Sequence, residues 1–349
     1  MAEDDKLQTL KYFITENAKK YGKHTINYGI TKREKVSTGS IYFDYLLDGG
    51  VERGSILGFW GLPRSGKTLM ALRIIAEAQK RGESCVWFRI EKGTNREHAE
   101  NVGVDMSKLL VVEQMETGEQ WCDIIVDAVN KFDTIVVDSI STIIPTRVLQ
   151  ESAEKKTIGA QASLLTDLIN KINHYNTKSN VILISQARDD INAMGYTKYK
   201  YSGGWSFKHL TNYIVEFKLK GYFNADQGEV KDIKKENKDE ITGINMLLYV
   251  EKNQRGASYR AGEMYYSFKN CRVDEEGEII TVAEKLGVIE DAGGWLKLDT
   301  EFVAKFGMDK DVVVIKEACR VKELKQLMRD NSKAKDYFIK KIRKTYEKT

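Results

Sequence analysis

The run Gly61-Leu62-Pro63-Arg64-Ser65-Gly66-Lys67-Thr68, followed by Leu69, is a complete GxxxxGKT pattern. Its chemistry is phosphate binding. Gly61 and Gly66 let the backbone close until successive N–H groups point at an anion at a helix N-terminus. Lys67 puts a cation on the β- and γ-phosphates, and Thr68 offers a hydroxyl to magnesium. ATP with Mg2+ is the cofactor pair this implies. Asp138 closes the apolar run TIVVD and would meet the same ligand edge, holding magnesium through water. Glu91, just past SCVWFRI, is the candidate base or water-positioning group; the competing reading is a surface glutamate paired with Lys92. Gln186 ends NVILISQ and carries an amide to that edge, where it either senses the γ-phosphate or caps the strand.

Such side chains converge only if a parallel sheet brings the strand ends together. Apolar runs at 55–60, 84–90, 109–114, 133–138, 180–186, 213–219 and 244–252 alternate with helical patterns at 66–81, 117–131 and 158–176. That rhythm predicts an α/β fold with a largely parallel, twisted sheet. Before it, residues 5–21 place Leu7, Leu10, Phe13 and Ile14 at helical spacing, and a short β-like piece follows. Residues 224–240 are almost wholly polar and read as an exposed excursion between two strands. After about 275 short elements lead into a basic helical tail, so three parts are expected, at 1–36, 37–274 and 275–349.

With 349 residues, 42% hydrophobic and 30% charged, the chain has the composition of a globular protein with a sizeable core. The start MAEDDKLQTL lacks the basic-then-apolar pattern of a secretory signal, and no apolar run is long enough to span a bilayer, so a cytoplasmic setting without membrane contact is expected. The four cysteines are far apart, with no zinc or disulfide spacing. Net charge is only +4, but residues 320–349 hold eleven Lys or Arg against four Asp or Glu. A tail of that kind is either a solvated helical face or an approach to nucleic-acid phosphates. The stretch MGYTKYKYSGGWSF (194–207) combines aromatics, lysines and glycines. By alternation alone it could be a hairpin strand, with Tyr199 and Tyr201 on one face and Lys198 and Lys200 on the other.

The approach STGSIYFDYLLDGGVERGSILGFWG (37–61), Val102-Gly-Val-Asp105, Thr117-Gly-Glu-Gln120, Val136-Val-Asp-Ser139, Gly203-Gly204, Lys252-Asn253 and LGVIEDAGGWL (286–296) together resemble the RecA family of homologous-recombination ATPases over nearly the whole chain. The resemblance implies a RecA-like core, an N-terminal helix–strand polymerisation arm and a small C-terminal α/β domain. By position it implies that Lys67 and Thr68 bind phosphate and magnesium, Asp138 is the second-strand carboxylate and Glu91 the catalytic glutamate. Gln186 would link γ-phosphate to DNA loops, and His98 falls where the family often stacks an aromatic on adenine. Lys252, with Arg255 displaced by one from a second cation, would reach a neighbour's γ-phosphate. The interior Leu-Pro-Arg-Ser of the phosphate loop, the shortened segment after Glu91 and the missing acidic tail are departures that suggest a divergent member, with a phage source as one reading.

The family's two DNA loops would fall at 150–157, with Lys155 and Lys156, and at about 187–204, with Arg188, Tyr196, Lys198, Tyr199, Lys200 and Tyr201. Lysines there neutralise phosphates, and tyrosines stack on bases without reading sequence. Trp205 and Phe207 are expected in the following helix and core. The implied activity is ATP-dependent strand exchange on a helical filament, with single-stranded DNA and homologous duplex DNA as partners. A hexameric helicase motor and a non-hydrolysing scaffold or mediator that assembles on DNA remain alternatives.

Overall fold

The computed structural model describes residues 2–21, 33–150, 159–189, 199–202, 204–224, 229–230, 241–268, 271–306 and 318–346, with only the backbone at 2–5, 21, 188–189, 199–200 and 229. Two compact units emerge, Met1–Glu34 and Lys35–Thr349. The first holds helix α1 (Ala2–Tyr21), on which Leu7, Leu10 and Phe13 are exposed.

The second unit is built on strands β1 (Ile56–Gly61), β2 (Cys85–Arg89), β3 (Leu109–Val112), β4 (Thr134–Asp138), β5 (Asn180–Gln186), β6 (Tyr213–Asn224), β7 (Ile241–Asn253), β8 (Ala261–Ser267) and β9 (Arg272–Val273). They lie side by side in the order β9-β8-β7-β6-β1-β5-β4-β2-β3, parallel from β6 to β3 and antiparallel from β6 to β9. The α/β fold and its largely parallel sheet therefore match the sequence expectation. The helices of this unit are α2 (Ile41–Leu46), α3 (Lys67–Lys80), α4 (Arg96–Val102), α5 (Gly118–Ala128), α6 (Thr146–Gln150), α7 (Ala160–Tyr175), α8 (Gly204–Leu210), α9 (Glu275–Lys285), α10 (Thr300–Phe306), α11 (Val321–Asp330) and α12 (Ser332–Tyr346).

Neighbouring residues of the parallel strands enter opposite cores. Leu57 and Phe59 of β1 join α3 on one face, whereas Ile56 and Trp60 join α5 and α7 on the other. Strands covered on both faces need apolar residues at every position, which is why they read as continuous runs. Phe207 of α8 is fully buried, and its ring occupies the space that a side chain at Gly58 would fill: a Cβ built there would lie 2.5 Å from Cζ of Phe207. The four cysteines are free thiols. Among the described residues, no helix is long and apolar enough to cross a membrane.

The basic tail is partly neutralised within the chain. Lys325 pairs with Asp274 at 2.5 Å, Arg329 with Glu276 at 3.3 Å, and Lys341 with Asp299 at 2.8 Å, while Lys335 pairs with Glu275. Asp274 caps α9, and Glu275, Glu276 and Glu278 fill its first turn, where carboxylates suit the helix dipole.

Glu278 is buried beneath α2 and α3, accepting a hydrogen bond from Ser40 Oγ at 2.8 Å with Arg73 Nη1 3.9 Å away. Burial pushes its pKa up to about 7, the Arg73 charge and the Ser40 hydrogen bond opposing and Glu275 adding to the rise. The folded state therefore holds a proton that the unfolded chain releases near the ordinary glutamate range, so this group makes stability fall as pH rises from about 4.5 to about 7. Glu278→Gln is expected to remove that slope. Relative to wild type, the variant should gain on the order of 2 kcal/mol in urea unfolding between pH 5 and pH 8. Parallel stability profiles for the two proteins would refute the assignment.

Candidate active site

Parallel register brings the proposed groups to one sheet edge. Gly61 at the end of β1 lies opposite Gln186 at the end of β5, and Asp138 at the end of β4 lies opposite Arg89 of β2 and Ile184 of β5. Ligands of such sheets bind outside the carboxyl ends of the strands. The N–H groups of Ile90 and Glu91 both donate to the Asp138 carbonyl, at 2.8 and 2.9 Å, fixing the chain as it leaves β2.

The phosphate loop joins β1 to α3. Gly66 occupies the N-cap of α3 at φ 97°, with no side-chain cap, leaving the first-turn amides available to an anion. Gly61 has φ 148°, and a Cβ there would lie 2.2 Å from the Phe217 carbonyl oxygen. Only glycine fits. Lys67 Nζ donates to the carbonyls of Gly61 at 2.9 Å and Leu62 at 2.7 Å. Burial lowers its pKa to about 8, against the pull of Asp138 and Glu91. Ser65 is buried and its hydroxyl donates to Leu62 O at 2.8 Å, whereas Leu62, Pro63 and Arg64 form the exposed tip and Leu69 is buried in α3. Among the described residues, nothing gives Arg64 a role at the phosphates.

Thr68 Oγ1 donates to Asp138 Oδ2 at 2.8 Å, so the two metal-ligand candidates meet directly. Burial raises the Asp138 pKa to about 6, with Glu91 adding to the rise and the Thr68 hydrogen bond, Lys67 and Arg89 opposing it. An all-oxygen pair of one hydroxyl and one carboxylate fits magnesium, which keeps most of its waters and shares phosphate oxygens rather than entering an all-protein cage. The neighbouring Ser139 Oγ is buried without a hydrogen-bond partner among the described residues, a further oxygen at the same edge.

Glu91 is not a solitary surface acid. Gln186 Nε2 donates to Glu91 Oε2 at 2.7 Å, uniting the water-positioning and sensing candidates. From Gln186 a serine chain runs to the stretch before α8. The Gln186 backbone N–H donates to Ser141 Oγ at 2.8 Å, Ser141 and Ser185 hydroxyls lie 3.5 Å apart, and the Ser202 backbone N–H donates to Ser185 Oγ at 2.8 Å. His98, on α4, is half-buried and meets the edge of Tyr266 with ring centroids 6.2 Å apart; burial lowers its pKa. Met246, whose sulfur packs against Gly66, lies two residues along β7 from Ile244, the partner of Tyr266. Met246 and Tyr266 are thus site neighbours that sequence reasoning missed. No local pattern marked them: β8 reads AGEMYYS with two adjacent tyrosines, and it is the pairing of β7 with β8 that sets Tyr266 beside Ile244.

The remaining candidates divide. Lys252 Nζ closes the end of α8, donating to the carbonyls of Lys208, His209 and Thr211 at 2.8, 3.0 and 2.7 Å, and Arg255 pairs with Glu52 at 2.6 Å. Each would have to give up these bonds to reach another chain. Lys155, Lys156, Tyr196 and Lys198 lie outside the described residues. The backbones of Arg188 and Lys200, and of Asp189 and Tyr199, pair antiparallel. Tyr201 is half-buried rather than freely presented. Its ring packs edge-on to Trp60 at 5.5 Å and against Phe207 at 4.7 Å, and burial raises its pKa to about 12. Trp205 corrects the expectation of burial: it lies in α8 as read, but is 77% exposed rather than in the core.

The sequence pattern described as "RecA N-terminal domain" matches residues 8–269. Among similar proteins, Protein RecA of Gluconacetobacter polyoxogenes is 30% identical over 310 residues, covering 86% of this chain and 85% of the relative. Protein RecA of Chloroherpeton thalassium is 30% identical over 320 residues, covering 89% and 85%. Protein RecA of Rickettsia bellii is 27% identical across 100% of this chain and 96% of its own.

Proposed function

The chain belongs to the RecA family, and from that premise we propose that it is an ATP-hydrolysing recombinase that forms a filament on single-stranded DNA and exchanges homologous strands. ATP binding, DNA binding and a place in DNA recombination and repair come with membership of that family. The observation that carries the finer reading is the contact of Glu91 with Gln186 beside the phosphate loop, continued through serines to the residues before α8. A hydrolytic group and a candidate DNA-binding segment share one hydrogen-bonded edge.

In this reading the loop amides and Lys67 hold the β- and γ-phosphates, and Thr68 and Asp138 hold magnesium. Magnesium, when bound, neutralises charge on the phosphate oxygens. Glu91 orients a water and accepts its proton, Gln186 reports the occupancy of Glu91's surroundings to the loop, and His98 with Tyr266 flanks the base. Lys252 and Arg255 are the cations assigned to an adjoining protomer's nucleotide, and α1, with its exposed Leu7, Leu10 and Phe13, is assigned to docking on that protomer. Lys155, Lys156, Arg188, Tyr196, Lys198, Tyr199 and Lys200 are assigned to the DNA loops. A cytoplasmic location belongs to the same reading.

The test is ATP-dependent three-strand exchange with homologous and heterologous duplexes, alongside electron microscopy. Exchange confined to the homologous duplex, with open filaments on single-stranded DNA, is the expected result. Closed six-membered rings with directional unwinding would sink it in favour of a helicase motor. ATP turnover that stays at background on long single-stranded DNA would instead favour a scaffold.

A further inference from the structure

Trp205 is the most exposed large hydrophobic residue among those described, at 77%, although the chain has buried its other tryptophans or half-covered them: Trp60, Trp87 and Trp121 are 9%, 2% and 6% exposed and Trp295 is 44%. Its indole is not loose. It lies parallel to the His209 ring one turn further along α8, with centroids 4.5 Å apart and planes within 9°. A stacked pair of this kind leaves one flat indole face open, at a fixed orientation.

The surroundings specify what that face takes. The sequence of α8, GWSFKHL, contains no carboxylate, and Lys208 and His209 are exposed beside Trp205. Glu251, a carboxylate near Lys208, has its pKa raised by burial, with Trp60 and Lys208 opposing and Glu216 adding to the rise. The helix itself is immobilised: Phe207 is seated over Gly58, Tyr201 packs on Phe207, and Ser202 is bonded to Ser185 two residues before α8 starts. An open aromatic face with Lys208 and His209 exposed on the same carboxylate-free helix, itself anchored to the Gln186 edge, fits an anionic polymer with flat rings. An apolar face of a second copy would leave the Lys208 cation unmatched.

We propose that Trp205, held by His209, stacks on a base of single-stranded DNA, with Lys208 on the adjacent phosphate. Stacking supplies affinity without sequence preference, because every base has a π-face, and the preset orientation of the ring reduces what must be ordered on binding. This inference rests on the DNA-binding reading above, but it names a contact that fails independently of it.

The test uses the full-length protein with ATP and magnesium, an oligo-dT strand and an abasic strand of equal length and charge. Wild type is expected to bind oligo-dT about tenfold or more tightly than the abasic strand, with quenching of the exposed indole's fluorescence on binding oligo-dT. Trp205→Ala should lose about tenfold in affinity for oligo-dT and leave abasic binding within about twofold, whereas Trp205→Phe should keep most of the base-dependent affinity. If wild type binds neither strand, the functional reading fails. If it binds oligo-dT and Trp205→Ala binds equally well, the stacking contact is refuted while that reading stands. Quenching that follows protein concentration in the absence of DNA would also overturn the proposal, assigning the indole to a contact between copies of the chain.

Discussion

Lys67→Ala is expected to weaken ATP binding roughly 10²–10³-fold, the usual consequence of removing one partner from a desolvated charge pair. Filament extension and strand exchange should disappear with it. The same substitution separates loss of binding from loss of fold. Burial lowers the Lys67 pKa to about 8. Folding therefore disfavours the charged ammonium; its cost is present at neutral pH and fades as pH rises through about 8 towards the unfolded value of about 10.5. Alanine relieves that cost while forfeiting two hydrogen bonds to loop carbonyls, at 2.9 and 2.7 Å. Thermal unfolding of the variant at pH 7 should stay within a few degrees of wild type. Calorimetric titration with ATP is the decisive measurement, and near-normal affinity would dismantle the assigned site.

Glu91→Gln should have the opposite profile. Removing a positioned base typically costs about 10²–10⁴ in rate. Yet the glutamine carbonyl can still accept the hydrogen bond that Gln186 now donates to Glu91 at 2.7 Å, so the local geometry is kept. Losing a negative charge beside Lys67 and Asp138 also leaves the site more hospitable to phosphates. Steady-state hydrolysis with single-stranded DNA is therefore expected to fall by at least about 100-fold, with ATP affinity unchanged or tighter. Turnover within a few-fold of wild type would return Glu91 to the role of a surface acid.

The phosphate loop and the strands around it were legible because their signals are local. GxxxxGKT needs only its own glycines and a strand–helix context, and β1, β2, β4 and β5 show unbroken apolar runs because both faces are buried. The contact of Glu91 with Gln186 was not written in either residue; it follows from the order in which β2, β4, β5 and β1 pair. Alternation could say that Tyr201 and Trp205 face somewhere, but not where. Trp60 and Gly58, more than a hundred residues earlier, draw Tyr201 and Phe207 inward and leave Trp205 outside. The basic tail was visible as charge, while the acids that neutralise part of it lie at Asp274, Glu275, Glu276 and Asp299. Sequence composition names a charge but not its partner.

The seat of Phe207 over Gly58 has a bearing on redesign. The two positions share a single allotment of volume, since the ring occupies what any side chain on the strand would claim. A substitution that enlarges residue 58 must be matched by a smaller residue at 207, or α8 lifts from the sheet and takes the orientation of its indole with it. For substitution libraries the pair behaves as one variable, and scanning either position alone would misread a shared constraint as two separate intolerances.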